Sequence, residues 1–291
     1  MLHDIAPMVF NNAFAIKEPA AEDFALCYSQ NEILLTDEPL ALPRFSDVGL
    51  HLMPHSEYLF SIDDMRFFLV RSALSATEIP NDCRFVPLSS LNTELPRWQA
   101  FPAHMGAQVF RWKNSHIYCG RCGAPMKNSD LERALVCSEC GLVEYPKIAP
   151  AIIVAVTDGD RLLMTRYARN ANSYRRYALV AGFVEIGETF EEAVQREVFE
   201  EVGLRIKNIT YYKSQPWPFP DSVMIGFFAE LDGDDTITLQ ESELCEGVWF
   251  PREEIPPTQS TVSIAQELIE GVRSGINELC LELHRQRPIF P

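Results

Sequence analysis

The chain has 291 residues and carries 41 acidic against 25 basic side chains, which gives a formal net charge of −16. This length is enough for two domains with buried cores, and an apolar content of 47% excludes general disorder. The acidic excess argues against a broad basic face that binds nucleic-acid phosphates or anionic lipid, although bound cations could reverse the local charge for an anionic substrate.

The N-terminus and the apolar runs show no export or membrane signal. The opening residues, MLHDIAPMVF, contain an early Asp and no basic region. The longest nearly apolar run, 148–157, is too short to span a bilayer and contains Pro150. By default, we expect a cytoplasmic protein without a membrane span.

Residues 1–110 are predicted to form a smaller N-terminal domain of mixed α/β structure. Two strand-like runs, 57–62 and 66–71, are joined by an Asp-Asp turn and predict a hairpin. Between about 96 and 115, apolar residues recur at three- and four-residue steps, which predicts a helix. Pro102 could break or kink this helix, because proline lacks the N–H that a helix interior needs.

Four of the eight cysteines form two Cys-x2-Cys pairs with 14 residues between them: Cys119, Cys122, Cys137 and Cys140. The other four are scattered, which favours a metal site in a reducing compartment over a disulfide scaffold. Four thiolates complete a tetrahedral Zn²⁺ site and leave no open position, so we predict a structural zinc ribbon over 111–147 with one ion per chain. A nucleic-acid-binding ribbon is the weaker alternative, because this segment has a net charge of only +2.

The remaining residues, 148–291, contain strand patterns followed by isolated helices. Strands are predicted at 148–157, 161–167, 177–183, 209–213, 223–231 and 247–250, and helices at 189–202 and 262–274. This mixture predicts an α/β or α+β sandwich rather than a regular βαβ repeat.

Residues 182–204, GFVEIGETFEEAVQREVFEEVGL, form a glutamate-rich segment. We predict a helix between Gly187, in the preceding turn, and Gly203, where helices commonly end. One face of the helical wheel is apolar and consists of Phe190, Val194, Val198 and Val202. Glu197 and Glu201 fall at the edge of that face.

The glutamates of this helix predict a site for a divalent cation. Like charges one turn apart repel each other and are costly to bury, so a purely structural helix has little reason to carry them. Mg²⁺ or Mn²⁺ supplies a reason, because hard cations prefer oxygen ligands and share them with substrate phosphates. Arg196 lies beside Glu200 and Glu192 on the wheel, where it would hold carboxylates in position. On charge alone, a solvated acidic face would be the favoured alternative.

The same segment carries a long signature: Gly182, five residues, Glu188, seven residues, Arg196-Glu197, Val198, one residue, Glu200-Glu201, one residue, Gly203 and Leu204. It matches every fixed position of the Nudix box, so the chain resembles the Nudix hydrolases. The resemblance implies a Nudix α/β/α sandwich that cleaves a nucleoside diphosphate linked to another group. It also implies that glutamates of the helix bind a divalent metal.

A second motif, SQPWPFPDS at 214–222, lies downstream of this box. Alternating prolines hold an extended loop, which would either present its aromatic residues to a base or pack them inward as a connector. In this context, after a four-cysteine ribbon and a Nudix box, the run resembles that of the NADH pyrophosphatases. The resemblance covers about 111–275. The first hundred residues resemble the Nudix-like N-terminal domain of that subfamily only in position and size.

The resemblance implies a role for each residue of the catalytic centre. Glu197 and Glu201, with the carbonyl of Ala181, would bind Mg²⁺ or Mn²⁺, and Arg196 would belong to the same centre. Glu200 would be another ligand or would hold a water. One more metal ligand is expected before Trp249, and the preferred residue is Glu243, with Glu246 and Glu241 as alternatives.

The resemblance also implies a substrate site. The residues concerned are Gln215, Pro216, Trp217, Pro218, Phe219, Pro220, Asp221, Ser222, Glu132, Tyr145, Ala265 and Phe183. For Glu132 and Tyr145, packing within the ribbon is an equal alternative. Members of the subfamily are typically homodimers whose active sites use both subunits, and Phe183 would stack on a base from across the interface.

The predicted reaction hydrolyses the pyrophosphate of NADH or NAD⁺ to AMP and nicotinamide mononucleotide, reduced or oxidised. Glu201 or Glu200 would orient or deprotonate the attacking water. The nearest alternative is removal of NAD caps from RNA 5′ ends, to which the mildly basic ribbon could contribute. An alternative of another class is a zinc-ribbon binding module with an inactive Nudix domain, against which the intact glutamate set argues.

Overall fold

The computed structural model of the chain describes residues 1–71, 74, 77–168, 177–257 and 262–277. Its contacts divide the chain into two units. The first unit consists of Leu2–Lys147 and the short segment Pro218–Asp221, and the second of Met1, Ile148–Trp217 and Ser222–Pro291. The predicted N-terminal domain and the predicted ribbon therefore lie in one unit.

The first unit contains eleven short strands and three α-helices among its described residues. The strands are β1 (Phe10–Asn11), β2 (Phe24–Leu26), β3 (Tyr28–Ser29), β4 (Glu32–Asp37), β5 (Leu40–Ala41), β6 (Ser56–Ile62), β7 (Met65–Val70), β8 (Cys83–Pro87), β9 (Met126–Asn128), β10 (Leu135–Cys137) and β11 (Val143–Glu144). The helices are α1 (Phe45–Val48), α2 (Leu91–Glu94) and α3 (Arg97–Ser115), with 3₁₀ turns at Leu50–His55 and Leu88–Ser90.

These strands form three small sheets. Their orders are β1-β6-β7-β2, then β3-β4-β5 with β8 on β4, and finally β11-β10-β9 in the ribbon. The predicted hairpin is confirmed, because β6 and β7 pair antiparallel on either side of Asp63, whose φ is +50°. A buried cluster that includes Leu34, Phe45 and Phe68 forms a core of this unit.

The predicted helix is confirmed: α3 is continuous from Arg97 to Ser115, and Pro102, which could have broken it, lies inside it. Burial outweighs the one backbone hydrogen bond that proline removes, since a nearly continuous run of residues from Gln99 to Ala107 is buried. The helix also packs closely on β3, because the hydroxyl of Tyr28 donates to the carbonyl of Ala103 at 2.6 Å.

The second unit contains six strands and two α-helices among its described residues. The strands are β12 (Ala149–Asp158), β13 (Arg161–Tyr167), β14 (Val180–Phe183), β15 (Ile206–Trp217), β16 (Ser222–Leu231) and β17 (Leu244–Pro251). The helices are α4 (Phe190–Val202) and α5 (Ile264–Arg273), with a 3₁₀ turn at Arg252–Glu254.

One mixed sheet organises this unit, in the order β15-β16-β12-β13-β17, with β14 paired to β12. Strands β12 and β16 run parallel, and the other pairs are antiparallel. Strand β15 is longer than the predicted run 209–213, because its pairing continues through two register shifts to Trp217. It tolerates Pro216 since it lies at the sheet edge, where a missing N–H interrupts no central ladder.

The two helices cover opposite faces of this sheet. Val194, Val198 and Val202 of α4 share a buried cluster with Ile152 and Phe227. Leu268 and Val272 of α5 share another with Ile153 and Phe228. Neighbouring residues of a strand point to opposite faces of the sheet. Consecutive apolar residues of β12 and β16 therefore pack against α4 on one face and against α5 on the other. The predicted α/β/α sandwich is confirmed.

The ends of α4 follow the sequence signals. Thr189 is its N-cap and Gly203 ends it in the left-handed conformation, with a φ of +72°. Phe190 is 43% exposed, so its assignment to the apolar face is wrong, and Ala193 is buried there instead. The helical wheel thus assigned to the apolar face a first-turn residue that lies outside the buried part of the helix. Within the described ranges, none of the helices is long and apolar enough to cross a membrane.

Candidate active site and metal centres

Strand β14 and helix α4 meet at Gly182 and Glu197. A Cβ atom added to Gly182 would lie 2.0 Å from the carboxyl carbon of Glu197, so only glycine permits this approach. Ala181 precedes this glycine on β14 and pairs with Ile153 of β12. The first fixed glycine of the motif thus makes room for the carboxylate of Glu197.

Arg196 holds three carboxylates and one carbonyl together. Its Nε and Nη2 donate to the two oxygens of Glu188 at 2.5 and 3.0 Å, a bidentate pair. Its Nη1 donates to Glu197 at 2.8 Å and to Glu200 at 3.0 Å. Its Nη2 also donates to the carbonyl of Phe183 at 3.0 Å. The guanidinium, followed by the N–H of Glu185, lowers the pKa of Glu188.

The expected contact between Arg196 and Glu192 is not formed. The Oε2 atom of Glu192 accepts from the N–H and the hydroxyl of Thr189 at 2.8 and 2.9 Å. Glu192 is the third residue of α4, and it completes a capping box with the N-cap. Glu188 lies beside the guanidinium of Arg196 instead of Glu192. The helical wheel did not include Glu188, because this residue precedes the helix.

Glu201 is a buried carboxylate that lacks a full set of partners. It is 2% exposed, and its Oε2 atom has no hydrogen-bond partner among the described residues. Burial raises the pKa of Glu201 to about 8, and the charges of Glu197, Glu243 and Glu200 add to the shift. Burial also raises the pKa of Glu197, against the opposing effect of Arg196. These are acids that a positive charge would stabilise.

Among the three acids proposed before Trp249, Glu243 is the one whose charge acts on the helix glutamates. It lies just before β17, and its carbonyl accepts from Ala168 N at 2.7 Å. Glu246 is already engaged, since Arg166 lies 3.0 Å from one of its oxygens and the hydroxyl of Tyr177 donates to the other at 3.0 Å. Glu241 is exposed and raises neither pKa.

The carboxylate set fits a divalent cation in its chemistry. Three observations are explained if these carboxylates are oxygen ligands of a hard cation. They are a buried oxygen with no partner among the described residues, the repulsion among the acids, and a glycine that leaves space for a carboxylate. Their ligand atoms are less tightly gathered than the thiols. Within the part of the chain that the structure describes, only the cysteine quartet brings three or more such atoms within 4.8 Å of one another.

The four cysteines form the predicted zinc site. The sulfur atoms of Cys119 and Cys140 lie 3.5 Å apart, and those of Cys122 and Cys137 lie 3.4 Å apart. Each knuckle closes through a glycine with positive φ, whose N–H donates to the carbonyl of the first cysteine of the pair. A tetrahedral set of four thiolates leaves no open position, so this zinc is structural.

The SQPWPFPDS array divides into two groups of residues. Gln215 is fully buried, and its Nε2 donates to Val262 O at 2.8 Å while its Oε1 accepts from Ile264 N at 2.6 Å. This places it beside Ala265, the second residue of α5. Ser222 is buried, and its hydroxyl donates to the carbonyl of Trp217 at 3.3 Å. Pro216 and Trp217 complete β15.

The tip of the array, Pro218–Asp221, belongs to the first unit, where α3 holds it. Arg111 donates to the carbonyl of Pro218 and to the carboxylate of Asp221. The ring of His104 packs edge-on against Phe219, with centroids 4.7 Å apart. Pro220 is exposed within this turn. Sequence reasoning missed Arg111 and His104, whose only signal was polarity in a largely apolar helix.

The other residues assigned to the substrate are exposed. Tyr145 donates to Glu132 at 2.9 Å on the surface of the ribbon. Phe183 is 51% exposed at the end of β14. The pair in the ribbon is consistent with either of its two interpretations, packing or substrate contact.

Comparisons with known proteins show the family to which the chain belongs. The family model "NUDIX domain" matches residues 147–270, and "NADH pyrophosphatase zinc ribbon domain" matches residues 114–145. The chain is 41% identical over 217 residues to a NAD-capped RNA hydrolase NudC from Haemophilus influenzae, covering 73% of this chain and 79% of the relative. It is 45% identical over 168 residues to the NudC of Shigella flexneri, covering 58% of this chain and 64% of the relative.

A crystal structure of a NUDIX hydrolase from Nitrosomonas europaea is 22% identical, with a TM-score of 0.46, and the match covers 60% of this chain and 96% of that one. Three observations point to the same family. They are the identity to the NudC relatives, the match to the zinc ribbon model and the complete glutamate signature on α4. The chain therefore belongs to the Nudix hydrolase family, and within it to the NADH pyrophosphatase subfamily that carries a four-cysteine zinc ribbon.

Proposed function

We propose that this enzyme hydrolyses the pyrophosphate bond of NADH or NAD⁺, giving AMP and reduced or oxidised nicotinamide mononucleotide. The observation that carries the proposal is the buried Glu201 carboxylate, one oxygen of which has no partner among the described residues, beside the charges of Glu197 and Glu243. Mg²⁺ or Mn²⁺ is the proposed cation, because both are hard ions that take carboxylate oxygens.

Glu197, Glu201 and Glu243, with the carbonyl of Ala181, would hold the cation. When bound, it neutralises charge on the pyrophosphate and activates the attacking water. Glu201 or Glu200 would orient or deprotonate this water, because both carboxylates belong to the cluster that would hold the cation. Glu200 is half exposed, and Arg196 donates to one of its oxygens, so within the described part of the chain its other oxygen is available to orient a water.

Arg196 is the proposed positioning residue of the centre. It donates to Glu188, Glu197 and Glu200 from one planar group, which holds the three carboxylates at fixed positions relative to one another. Phosphoryl transfer depends mainly on positioning and charge stabilisation, and small displacements of these groups would slow it. Gly182 contributes by admitting Glu197 next to β14.

The array from Gln215 to Ser222, with Glu132, Tyr145 and Ala265, is proposed to line the substrate site. Gln215 and Ala265 already lie together through the contact at the start of α5. We further propose a homodimer in which the exposed ring of Phe183 stacks on a base bound by the partner subunit. A cytoplasmic location is proposed because zinc thiolates and the free thiols of Cys27 and Cys83 suit a reducing compartment.

Removal of NAD caps from RNA is the second candidate, favoured by the names of the relatives. The same carboxylates would cleave the same pyrophosphate in a capped end. The two substrates differ in their salt dependence, because a bound RNA chain adds phosphate contacts that salt weakens.

Product analysis tests the proposal. Incubation of the purified chain with NADH and Mn²⁺ should give equal amounts of AMP and reduced mononucleotide. Parallel reactions with NAD⁺ and an NAD-capped RNA, at low and high salt, should rank the three substrates by kcat/KM. If no dinucleotide and no capped RNA is cleaved with either Mg²⁺ or Mn²⁺, the proposal is refuted and the inactive binding module is favoured.

A further inference from the structure

One face of helix α3 carries three polar side chains in an otherwise largely apolar helix. His104, Gln108 and Arg111 recur at steps of four and three residues, so they lie on the same face, with the outer two roughly 10 Å apart along the axis. His104 and Arg111 both contact the array tip, Pro218–Asp221. Gln108, which lies between them, donates to Lys147 O at 3.1 Å. All of these residues belong to the first unit.

The array tip is a tight turn of four residues. It connects Trp217, at the end of β15, to Ser222, at the start of β16. Asp221 has a φ of +55°, a left-handed conformation that is uncommon for residues other than glycine and that aspartate and asparagine tolerate best. Its N–H donates to Pro218 O at 3.3 Å, which is a long hydrogen bond. Contacts from outside the turn therefore contribute to its order.

Arg111 joins the two ends of this turn. Its Nη2 donates to the carbonyl of Pro218, the first residue, and to the carboxylate of Asp221, the last. The side chains of Arg111 and Asp221 are 27% and 26% exposed, so solvent screens this pair less than it screens a fully exposed ion pair. A single guanidinium nitrogen thus fixes the first residue of the turn relative to the last.

His104 holds the aromatic residue of the turn. Its ring packs edge-on against Phe219, and its Nε2 donates to Asn92 Oδ1 at 3.2 Å. Burial lowers the pKa of His104 to about 4, and the charge of Arg111 adds to this, so the ring is uncharged near neutral pH. Phe219 remains 39% exposed despite this contact, so α3 supports the ring without covering it.

Helix α3 is itself firmly packed within the first unit. A Cβ atom added to Gly106 would lie 2.4 Å from the hydroxyl oxygen of Tyr28 and 2.6 Å from Cδ1 of Leu26, so only glycine permits this close approach. The same hydroxyl donates to Ala103 O. Side chains on a helix that is held in this way can fix a loop more precisely than side chains on another loop could.

We propose that Arg111 is a positioning residue of the substrate site, which acts by holding the array tip in one conformation against α3. The inference rests on the proposed function, since the array is a substrate site only if the chain hydrolyses a dinucleotide. A tip that is already ordered binds substrate without a further cost of ordering. Because Nη2 of Arg111 is engaged by the turn, this residue acts through the loop and not by touching the substrate.

Initial rates over a range of NADH concentrations, with Mn²⁺, test the positioning role. Arg111→Gln should raise KM by about 5-fold or more and leave kcat within about 2-fold, because the cost of ordering the tip weakens ground state and transition state alike. Asp221→Asn should have the same effect, since asparagine tolerates the left-handed conformation but lacks the charge. This variant also tests the contact if Arg111→Gln fails to fold.

The double variant Arg111→Gln/Asp221→Asn should be no worse than Arg111→Gln alone, because both substitutions remove the same contact. Arg84→Gln is the matched control. It breaks an ion pair with Asp37 in the same unit, on exposed side chains away from the array, and should keep both wild-type constants. A fall in kcat without a change in KM, or additive effects in the double variant, would overturn the inference.

Hydrogen exchange of the substrate-free chain separates this inference from the proposed function, because it needs no activity. Peptides that cover 214–222 should exchange faster in Arg111→Gln and in Asp221→Asn than in the wild-type chain, and Arg84→Gln should leave them unchanged. Unchanged exchange and unchanged KM in both tip variants overturn the inference even if the wild-type chain cleaves NADH. A wild-type chain that cleaves no dinucleotide refutes the proposed function instead, and faster exchange in the variants would still support the holding of the tip by Arg111.

Discussion

Gln215 accepts a 2.6 Å hydrogen bond from the N–H of Ile264, the first residue of α5. Its amide nitrogen simultaneously donates to Val262 O at 2.8 Å, so both ends of one fully buried side chain are occupied. The resemblance to NADH pyrophosphatases assigned Gln215 to the substrate. Its hydrogen bonds show that it also connects β15 to the beginning of α5, and that it places Ala265 beside the array.

Gln215→Met should destabilise the second unit, because it keeps the length of the side chain but removes both polar atoms. The Ile264 N–H would then lose its acceptor in a buried position, at a cost of about 1–3 kcal/mol, and Val262 O would lose the donor from Gln215. Urea unfolding followed by circular dichroism measures the loss. Gln195→Met on the exposed face of α4 is the control and should change stability little. Equal stabilities of the two variants would show that the Gln215 contacts contribute nothing.

Glu201→Gln should lower kcat by about 100-fold or more, since it removes one of the two proposed bases and a metal ligand. Its fold should remain intact, because an amide is less costly to bury than a carboxylate. Steady-state hydrolysis of NADH with Mn²⁺ gives the rate, and circular dichroism reports the fold. Glu191→Gln, an exposed acid in the first turn of the same helix, should retain near-normal turnover. A Glu201→Gln enzyme with wild-type kcat would exclude Glu201 as the base.

The metal-free enzyme should lose stability as pH rises. The pKa of Glu201 is about 8 in the folded chain and 4.5 for an ordinary glutamate, so the folded state binds more protons between these two values. Stability contributed by the protonated form is therefore complete below about pH 4.5 and is lost through pH 8, by a few kcal/mol in total. Thermal unfolding from pH 5 to 9 measures this slope.

Glu201→Gln supplies the control for this pH dependence, since an amide does not titrate. Its slope should be smaller than that of the wild-type chain, and saturating Mg²⁺ should flatten the wild-type slope by replacing the proton with a cation. Identical slopes for variant and wild type would assign the pH dependence to other groups.

Much of this site could be predicted from the sequence because its signals are local. The glutamate spacing, the cap residues Thr189 and Gly203 and the paired cysteines all act within one or two turns of chain. Periodicity likewise predicts the strands and helices that make the sandwich. The errors at Phe190 and Glu192 arose at the first turn of α4, where capping replaces the regular helical pattern.

Long-range contacts account for what could not be predicted. Gln215 meets residues almost fifty positions away, and Arg111 meets Asp221 across more than a hundred. No local spacing encodes either contact, because each depends on which elements become neighbours in the folded chain. The position of the negative charge also depends on the fold. The net charge of the whole chain argued against phosphate-bearing partners, whereas the structure brings part of that charge together in a carboxylate cluster that suits a cation.

Arg196→Lys should reduce kcat by about 10-fold while changing KM less, because an ammonium cannot reproduce the bidentate pair with Glu188 and the bonds to Glu197 and Glu200 together. Arg205→Lys, an exposed arginine after α4, is the matched control. Initial rates over a range of NADH concentrations separate the two constants. A change confined to KM would indicate that Arg196 acts on substrate binding instead of on the geometry of the carboxylates.

Cys137→Ser should release zinc and destabilise the ribbon. Serine is a poor ligand for Zn²⁺, and structural zinc contributes directly to the folding of small domains that lack a large core. Metal analysis should find about one zinc per wild-type chain and much less in the variant. Cys245→Ser is the control, because Cys245 is an exposed thiol on β17 outside the quartet and should keep the zinc content unchanged. Protease cleavage within 116–146 should accelerate in Cys137→Ser alone. Full zinc content in that variant would show that three cysteines hold the ion and that the fourth position is open to exchange.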